Sequence, residues 1–208
     1  MDMIDTDPTW PHSKAKTAIL RAAAWVIREN GPRSATLKNI AARAGITEPA
    51  IFRHFDGVDD LFECLFELFE RMFTRLTEAF DREDRGMDRL LGGIDRVGSY
   101  FASNRDLAYL ILQAEHVFRG YPEFKERLHE LRRIDNAKVM TVLVEARDLG
   151  QIPADADLGT VGMAFFGIVF LTMFDWMENP GDKDVAAMIG TRVRAIRKLS
   201  DPTLRGYA

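Results

Sequence analysis

The side chains from Thr47 to His54, inside the stretch IAARAGITEPAIFRHF (Ile40 to Phe55), combine a hydroxyl, a carboxylate, a guanidinium and an imidazole with the apolar surface of Pro49 and Phe52. Held in one row, these types suit recognition of a polar, anionic surface, since a guanidinium donates to base edges or phosphate and an imidazole donates to phosphate. Two short helices must position that row. Ile40, Ala41 and Ala44 face inward from the first, Gly45 supplies the positive φ of a tight turn, and Ile46, Ile51 and Phe55 face inward from the second. A small residue at Ala41, a glycine four residues later and a branched aliphatic six after that let two helices cross steeply, because a large side chain at position 41 would push them apart. This is a helix-turn-helix. With its apolar members assigned to the core, Thr47, Glu48, Pro49, Phe52, Arg53 and His54 form an outer face of a size that enters a DNA major groove.

Charge is distributed to match. The chain's net charge is -4, yet between His12 and Phe55 eight lysines and arginines stand against Glu29 and Glu48, a local charge of +6. The first eleven residues sum to -3 and Asp56 to Ala208 to -7. A basic end on an acidic chain is what attraction to a polyanion requires, because each cation near a phosphate releases condensed counterions. On this segment Arg53 is read as a DNA contact. His54 has two readings, phosphate contact or ring packing against the following helix, and Glu48 has the alternative of serving only its helix dipole.

Helical periodicity runs along nearly the whole chain. Ile19, Ala22, Ala23, Val26 and Ile27 predict a helix from about Ser13 to Asn30, stopped by Gly31 and Pro32. Thr36 is placed to cap a second helix through Ala44, and Thr47 a third, with Pro49 tolerated in its first turn. Further helices are expected at 58–80, 87–103, 106–118, 121–149, 158–177 and 183–200, divided by Gly120 with Pro122, Gly150 with Pro153, and Pro180 with Gly181. No β-alternation or repeat is visible, so the expectation is an all-α protein of about nine helices.

With 47% hydrophobic residues the 208-residue chain has material for a real core. Its single cysteine, Cys64, lies in an apolar run and reads as a small buried hydrophobe in a reducing compartment. The start, MDMIDTDPTWPH, is acidic and proline-broken where an export signal would be basic and then apolar, so a cytoplasmic location is expected. The uncharged run Leu158 to Phe174 is shorter than the roughly 20 residues of a bilayer span and has Asp155, Asp157, Asp175 and Glu178 at its flanks. It is expected to be a protein-buried helix, with Gly159, Gly162 and Gly167 admitting a partner helix and no membrane involved.

Over Ala15 to Phe62 the segments ILRAAAWVIRENG, ATLKNIAARAGIT and AIFRHF, followed by DDLF, resemble the tetracycline-repressor-like (TetR) family of transcriptional regulators. The resemblance implies a three-helix DNA-binding head (12–57) and a larger helical body (58–208) that dimerises through its last two helices and encloses a ligand. It further implies that Thr36 and Thr47 cap their helices and touch phosphates, that Glu48, Pro49 and Arg53 lie where base edges are within reach, and that Phe52 and His54 contact the backbone. The implied partners are a double-stranded palindromic operator, a second copy of the chain, and a small, hydrophobic effector; no cofactor is implied. Two departures stand out. The family commonly has tyrosine where this chain has Phe52, and lysine where it has Val58 beside Asp56, Asp59 and Asp60. A hydroxyl and a cation are lost and anions gained, which points to modest or salt-sensitive DNA affinity.

For the effector, candidate residues are Phe66, Phe69, Tyr100, Tyr109, Gln113, His116, Phe166 and Phe170, though phenylalanine stripes are usually core. Glu115, His116, His129 and Glu130 lack the spacing of a helix-borne zinc pair, and no metal is expected. The competing class is an all-α enzyme or ligand carrier. Against it, no glycine-rich phosphate loop, nucleophile elbow or His-Glu-x-x-His is present.

Overall fold

The structure, a computed structural model, describes residues 13–81, 84–178 and 184–199. Among them are ten α-helices and no strand: α1 (Lys14–Asn30), α2 (Leu37–Ala44), α3 (Glu48–Ile51), α4 (Val58–Glu78), α5 (Gly86–Ser103), α6 (Arg105–Leu112), α7 (Ala114–Val117), α8 (Pro122–Asp148), α9 (Leu158–Glu178) and α10 (Val185–Leu199), with a 3-10 turn at Pro32–Ser34. The all-α expectation holds. One helix more than the expected nine appears because the segment 106–118 breaks at Gln113, whose backbone (φ -113°, ψ 16°) leaves the helical region between α6 and α7. His12, the expected breakers Pro180 and Gly181, the ends of the expected last helix at Lys183 and Ser200, and residues 201–208 lie outside the described residues.

The chain forms two compact units, Met1–Arg75 with Asp106–Leu131, and Leu76–Arg105 with Arg132–Ala208. In the first, α1 starts at Ser13, whose hydroxyl accepts from the Lys16 amide at 3.3 Å, and buries Ile19, Leu20, Ala23, Val26 and Ile27 on one face. This apolar stripe covers α2. Later in the same unit an aromatic stack forms the core. Phe66 lies 4.4 Å from Phe124 and 4.8 Å from Phe118 between ring centroids, and Phe62 stacks on Tyr121 at 5.0 Å. Arg127 closes over it, with its guanidinium 4.7 Å from the Phe66 ring, 2.6 Å from Glu63 and also bonded to Glu70, so that α8 is tied to α4 at two carboxylates.

In the second unit small residues set the helix spacing. A Cβ on Gly98 of α5 would stand 2.4 Å from that of Ala186 on α10, so these helices pack nearly backbone to backbone. Gly162 of α9 receives Leu143 and Met140 of α8, the partner helix that its small side suggested, whereas Gly167 opens on nothing within 4 Å. The first turn of α5 is capped from outside, the Glu145 carboxylate accepting from the Gly86 amide at 3.0 Å and Gln151 from the Met87 amide at 2.8 Å. The Gly86 amide, with Arg85 second, holds the Glu145 carboxyl below its usual range.

Asp135 of α8 is half-buried, and burial pushes its carboxyl up to about 6, against the hydrogen bond from Thr77 that lowers it. Its proton is bound more tightly in the folded than in the unfolded chain, so this group's favourable contribution is complete below about pH 4 and is lost as pH rises through about 6. Urea unfolding of Asp135→Asn at pH above neutral is therefore expected to show a gain of about 2 kcal/mol over the wild type. The variant should also lose the fall in stability across that acidic window.

Candidate nucleic-acid interface

The turn between α2 and α3 is built from backbone hydrogen bonds. Thr36 caps α2, its hydroxyl accepting from the Asn39 amide at 3.3 Å. At the other end Gly45 takes the left-handed conformation (φ 69°, ψ 28°), and its amide reaches the Ala41 and Ala42 carbonyls while the Ile46 amide donates to Ala41 at 3.0 Å. The chain then leaves α2 at a sharp angle with its carbonyls satisfied. Thr47 is extended (ψ 151°) and α3 follows for one turn. Beyond it the Arg53 amide donates to Ala50 at 3.3 Å, and the His54 and Phe55 amides donate to Ile51 at 2.8 and 3.0 Å, so the coil continues through the basic residues.

Ile40, Ala41, Ile51 and Phe55 are buried, which turns the opposite side outward. Thr36, Thr47, Glu48, Pro49 and Arg53 are exposed, Phe52 is 55% exposed, and His54 is half-buried. Two local expectations are corrected. Ile46 is 37% exposed rather than inward, because it lies in the bend before α3, where helical spacing from Ile51 and Phe55 no longer applies. Thr47 stands at the N-cap position without a side-chain cap bond, so its hydroxyl leaves the α3 amides unserved.

Several cations of the +6 segment hold the protein together. The Lys16 amine lies 4.8 Å from the Phe55 ring centroid and the Arg43 guanidinium 4.2 Å from that of Trp25. Arg28 bonds Asp106 at 2.6 Å and Glu29 at 2.8 Å. Arg33, Lys38 and Arg53 are exposed. Sequence spacing missed the Lys16–Phe55, Arg43–Trp25 and Arg28–Asp106 contacts because each joins residues distant in the chain; the interleaving of Trp25 and Phe55 with basic residues was the only visible signal. Two anions flagged at the start of α4 are likewise engaged: Asp60 accepts from the Asp56 amide at 2.9 Å and Asp59 from the Tyr121 hydroxyl at 3.2 Å. Burial, and then Asp59, push the Tyr121 phenol up to about 12.

Of the residues expected to meet an effector, Phe66 and Phe69 are fully buried in the first unit's aromatic stack, 5.5 Å apart. Tyr109 and Gln113 are half-buried and His116 is exposed in that same unit. Tyr100 and Phe166 are half-buried in the second unit, and Phe170 is 39% exposed there. A groove lined by Trp25, Val26, Asn30, Ser34, Asn39, Ala42 and Arg43 contains none of these residues. Among the described residues no three His, Cys, Asp or Glu side chains are grouped to hold a metal ion.

The two threonines differ in what they bond, and stability measurements should separate them. Thr36→Ala is expected to cost about 1 kcal/mol by urea unfolding, the ordinary loss for an N-cap hydroxyl. Thr47→Ala should cost at most a few tenths.

Residues 19–65 match the family described as bacterial regulatory proteins, tetR family. Solved structures share the fold across nearly the whole chain. The ketosteroid transcriptional regulator KstR2 of Mycobacterium tuberculosis superimposes with a TM-score of 0.75 at 19% identity, covering 89% of this chain and 94% of its own. FadR from Bacillus subtilis, a transcriptional regulator in complex with stearoyl-CoA, gives 0.64 at 22% identity over 88% and 95%. A TetR-family transcriptional regulator from Marinobacter aquaeolei VT8 gives 0.61 at 19% identity over 91% and 100%. No curated protein matches. Residues 19–65 thus carry the tetR-family match, and the described chain has the fold of solved transcriptional regulators, one described as TetR-family among them.

Proposed function

We propose that the protein is a cytoplasmic, homodimeric transcriptional repressor whose residues 12–57 bind a palindromic operator and whose residues 58–208 dimerise and take a small hydrophobic effector. The observation that carries this reading is the outward row on and after α3: Thr47, Glu48, Pro49 and Arg53 are exposed and Phe52 more than half so, on a +6 segment, while Ile51 and Phe55 anchor the same turn in the core. Arg53, Glu48 and Pro49 are assigned to base edges, and Thr36, Thr47 and His54 to the DNA backbone. Two copies would set their heads about 34–36 Å apart, one helical turn of DNA.

Dimerisation is supported by α9. This helix is long and apolar enough to cross a membrane by length and composition, and 28% of its most apolar stretch is buried within the chain. Met163 is 76% exposed and Leu171 70%, and Gly167 opens outward between them. An apolar stripe of that kind is the normal surface of a symmetric helix pair. The effector is proposed to be hydrophobic because Phe166, Phe170 and Tyr100 lie in the same unit and because the FadR neighbour is in complex with stearoyl-CoA. Its binding would favour a state with different head spacing, and DNA affinity would fall by the ratio of its affinities for the two states.

Gel retardation with a palindromic fragment from upstream of the protein's own coding region tests the reading face. Arg53→Ala should weaken binding at least tenfold, the loss expected for a bidentate base contact. Equal binding by variant and wild type would reject the assigned face. In sedimentation, the wild type should run as two chains, and Met163→Glu with Leu171→Glu as one; a wild type running as one chain contradicts the dimer.

A further inference from the structure

We propose that Phe52 and Pro49 read thymine 5-methyl groups in the operator's major groove, which makes Phe52 a specificity-determining residue rather than a backbone contact. The inference rests on the reading of the head as a DNA-binding element and goes beyond it by naming the base.

In the segment 13–57, the large apolar side chains standing open to solvent are Ile46, 37% exposed, and Phe52, 55% exposed, and they bracket α3. Single exposed hydrophobes are ordinary on any surface. Here, however, both fall within seven residues, and exposed Pro49 lies between them, one helical turn before Phe52 on the same face. Arg53 follows at once, so the apolar row and the base-reading cation share one coil. Phe52 has no hydroxyl to give a phosphate and Pro49 has no amide hydrogen, so neither side chain donates to the DNA backbone.

What remains for a phenyl and a pyrrolidine ring in a major groove is apolar contact. The thymine methyl is the apolar group that base edges present there, and it is absent from the other three bases. A protein partner is the poorer occupant: two or three side chains fall well short of the several hundred Å² that a docking patch needs, and the surrounding charge of +6 attracts a polyanion.

The test uses the full chain and a duplex selected by it from a randomised pool, resynthesised with deoxyuridine in place of thymine at each position in turn, which deletes only the methyl. Wild-type protein should bind about three- to fivefold more weakly at one or two positions of each half-site, the effect of uncovering one methyl. In Phe52→Ala the thymine preference at those positions should vanish, while Phe52→Leu, which keeps apolar bulk, should retain much of it; thermal melts of both variants confirm folding. Equal wild-type affinity for thymine and deoxyuridine duplexes at every position overturns methyl reading and leaves DNA binding standing. Undiminished thymine preference or affinity in Phe52→Ala moves the apolar row to another contact and overturns the assignment to Phe52. Failure to select any duplex overturns the DNA-binding reading itself.

Discussion

The outward row on and after α3 depends on the left-handed turn at Gly45, where the chain passes from α2 to α3 while the carbonyls of Ala41 and Ala42 stay hydrogen-bonded. A residue with a Cβ at φ 69° would strain the backbone even though nothing lies within 4 Å to clash with it. Because the turn is short and closed by its own amides, Ile51 and Phe55 are delivered to the core beside Ile40 and Ala41. The same geometry sends Thr47, Glu48, Pro49, Phe52 and Arg53 outward. Core and reading face are therefore two sides of one backbone decision.

Charge acts on that surface more selectively than a count suggests. Lys16 sits on Phe55, Arg43 on Trp25, and Arg28 on Asp106, so part of the basic segment stiffens the first unit. Among the segment's exposed cations, Arg33, Lys38 and Arg53 are those that the proposed polyanion would meet. Farther along the chain, Asp59 and Asp60 are drawn into bonds with Tyr121 and the Asp56 amide. Both donors are neutral, so these bonds fix the two carboxylates in place without cancelling their charge.

Much of this was legible in the residues because it depends on short-range rules. The Thr36 cap, the Gly45 turn and the 3.6-residue spacing of Ile19 to Ile27 are all local, and α1 and α2 appear where those signals place them. Ile46 was misread because periodicity was carried across a bend, and the break at Gln113 was missed because nothing there is a glycine or proline. The Arg127 bridge to Glu63 and Glu70 spans more than fifty residues, and no local pattern announces which arginine will meet which carboxylates. For α9 the composition showed an apolar helix and a need for partners. Only the packing shows that α8 meets Gly162 while Met163 and Leu171 stay uncovered.

The account's central claim is that two copies of one exposed coil enter successive major grooves, and hydroxyl-radical footprinting of a selected duplex tests it most directly. Two symmetric protected patches with centres about one helical turn apart are predicted. A single patch, or protection without two-fold symmetry, would contradict it.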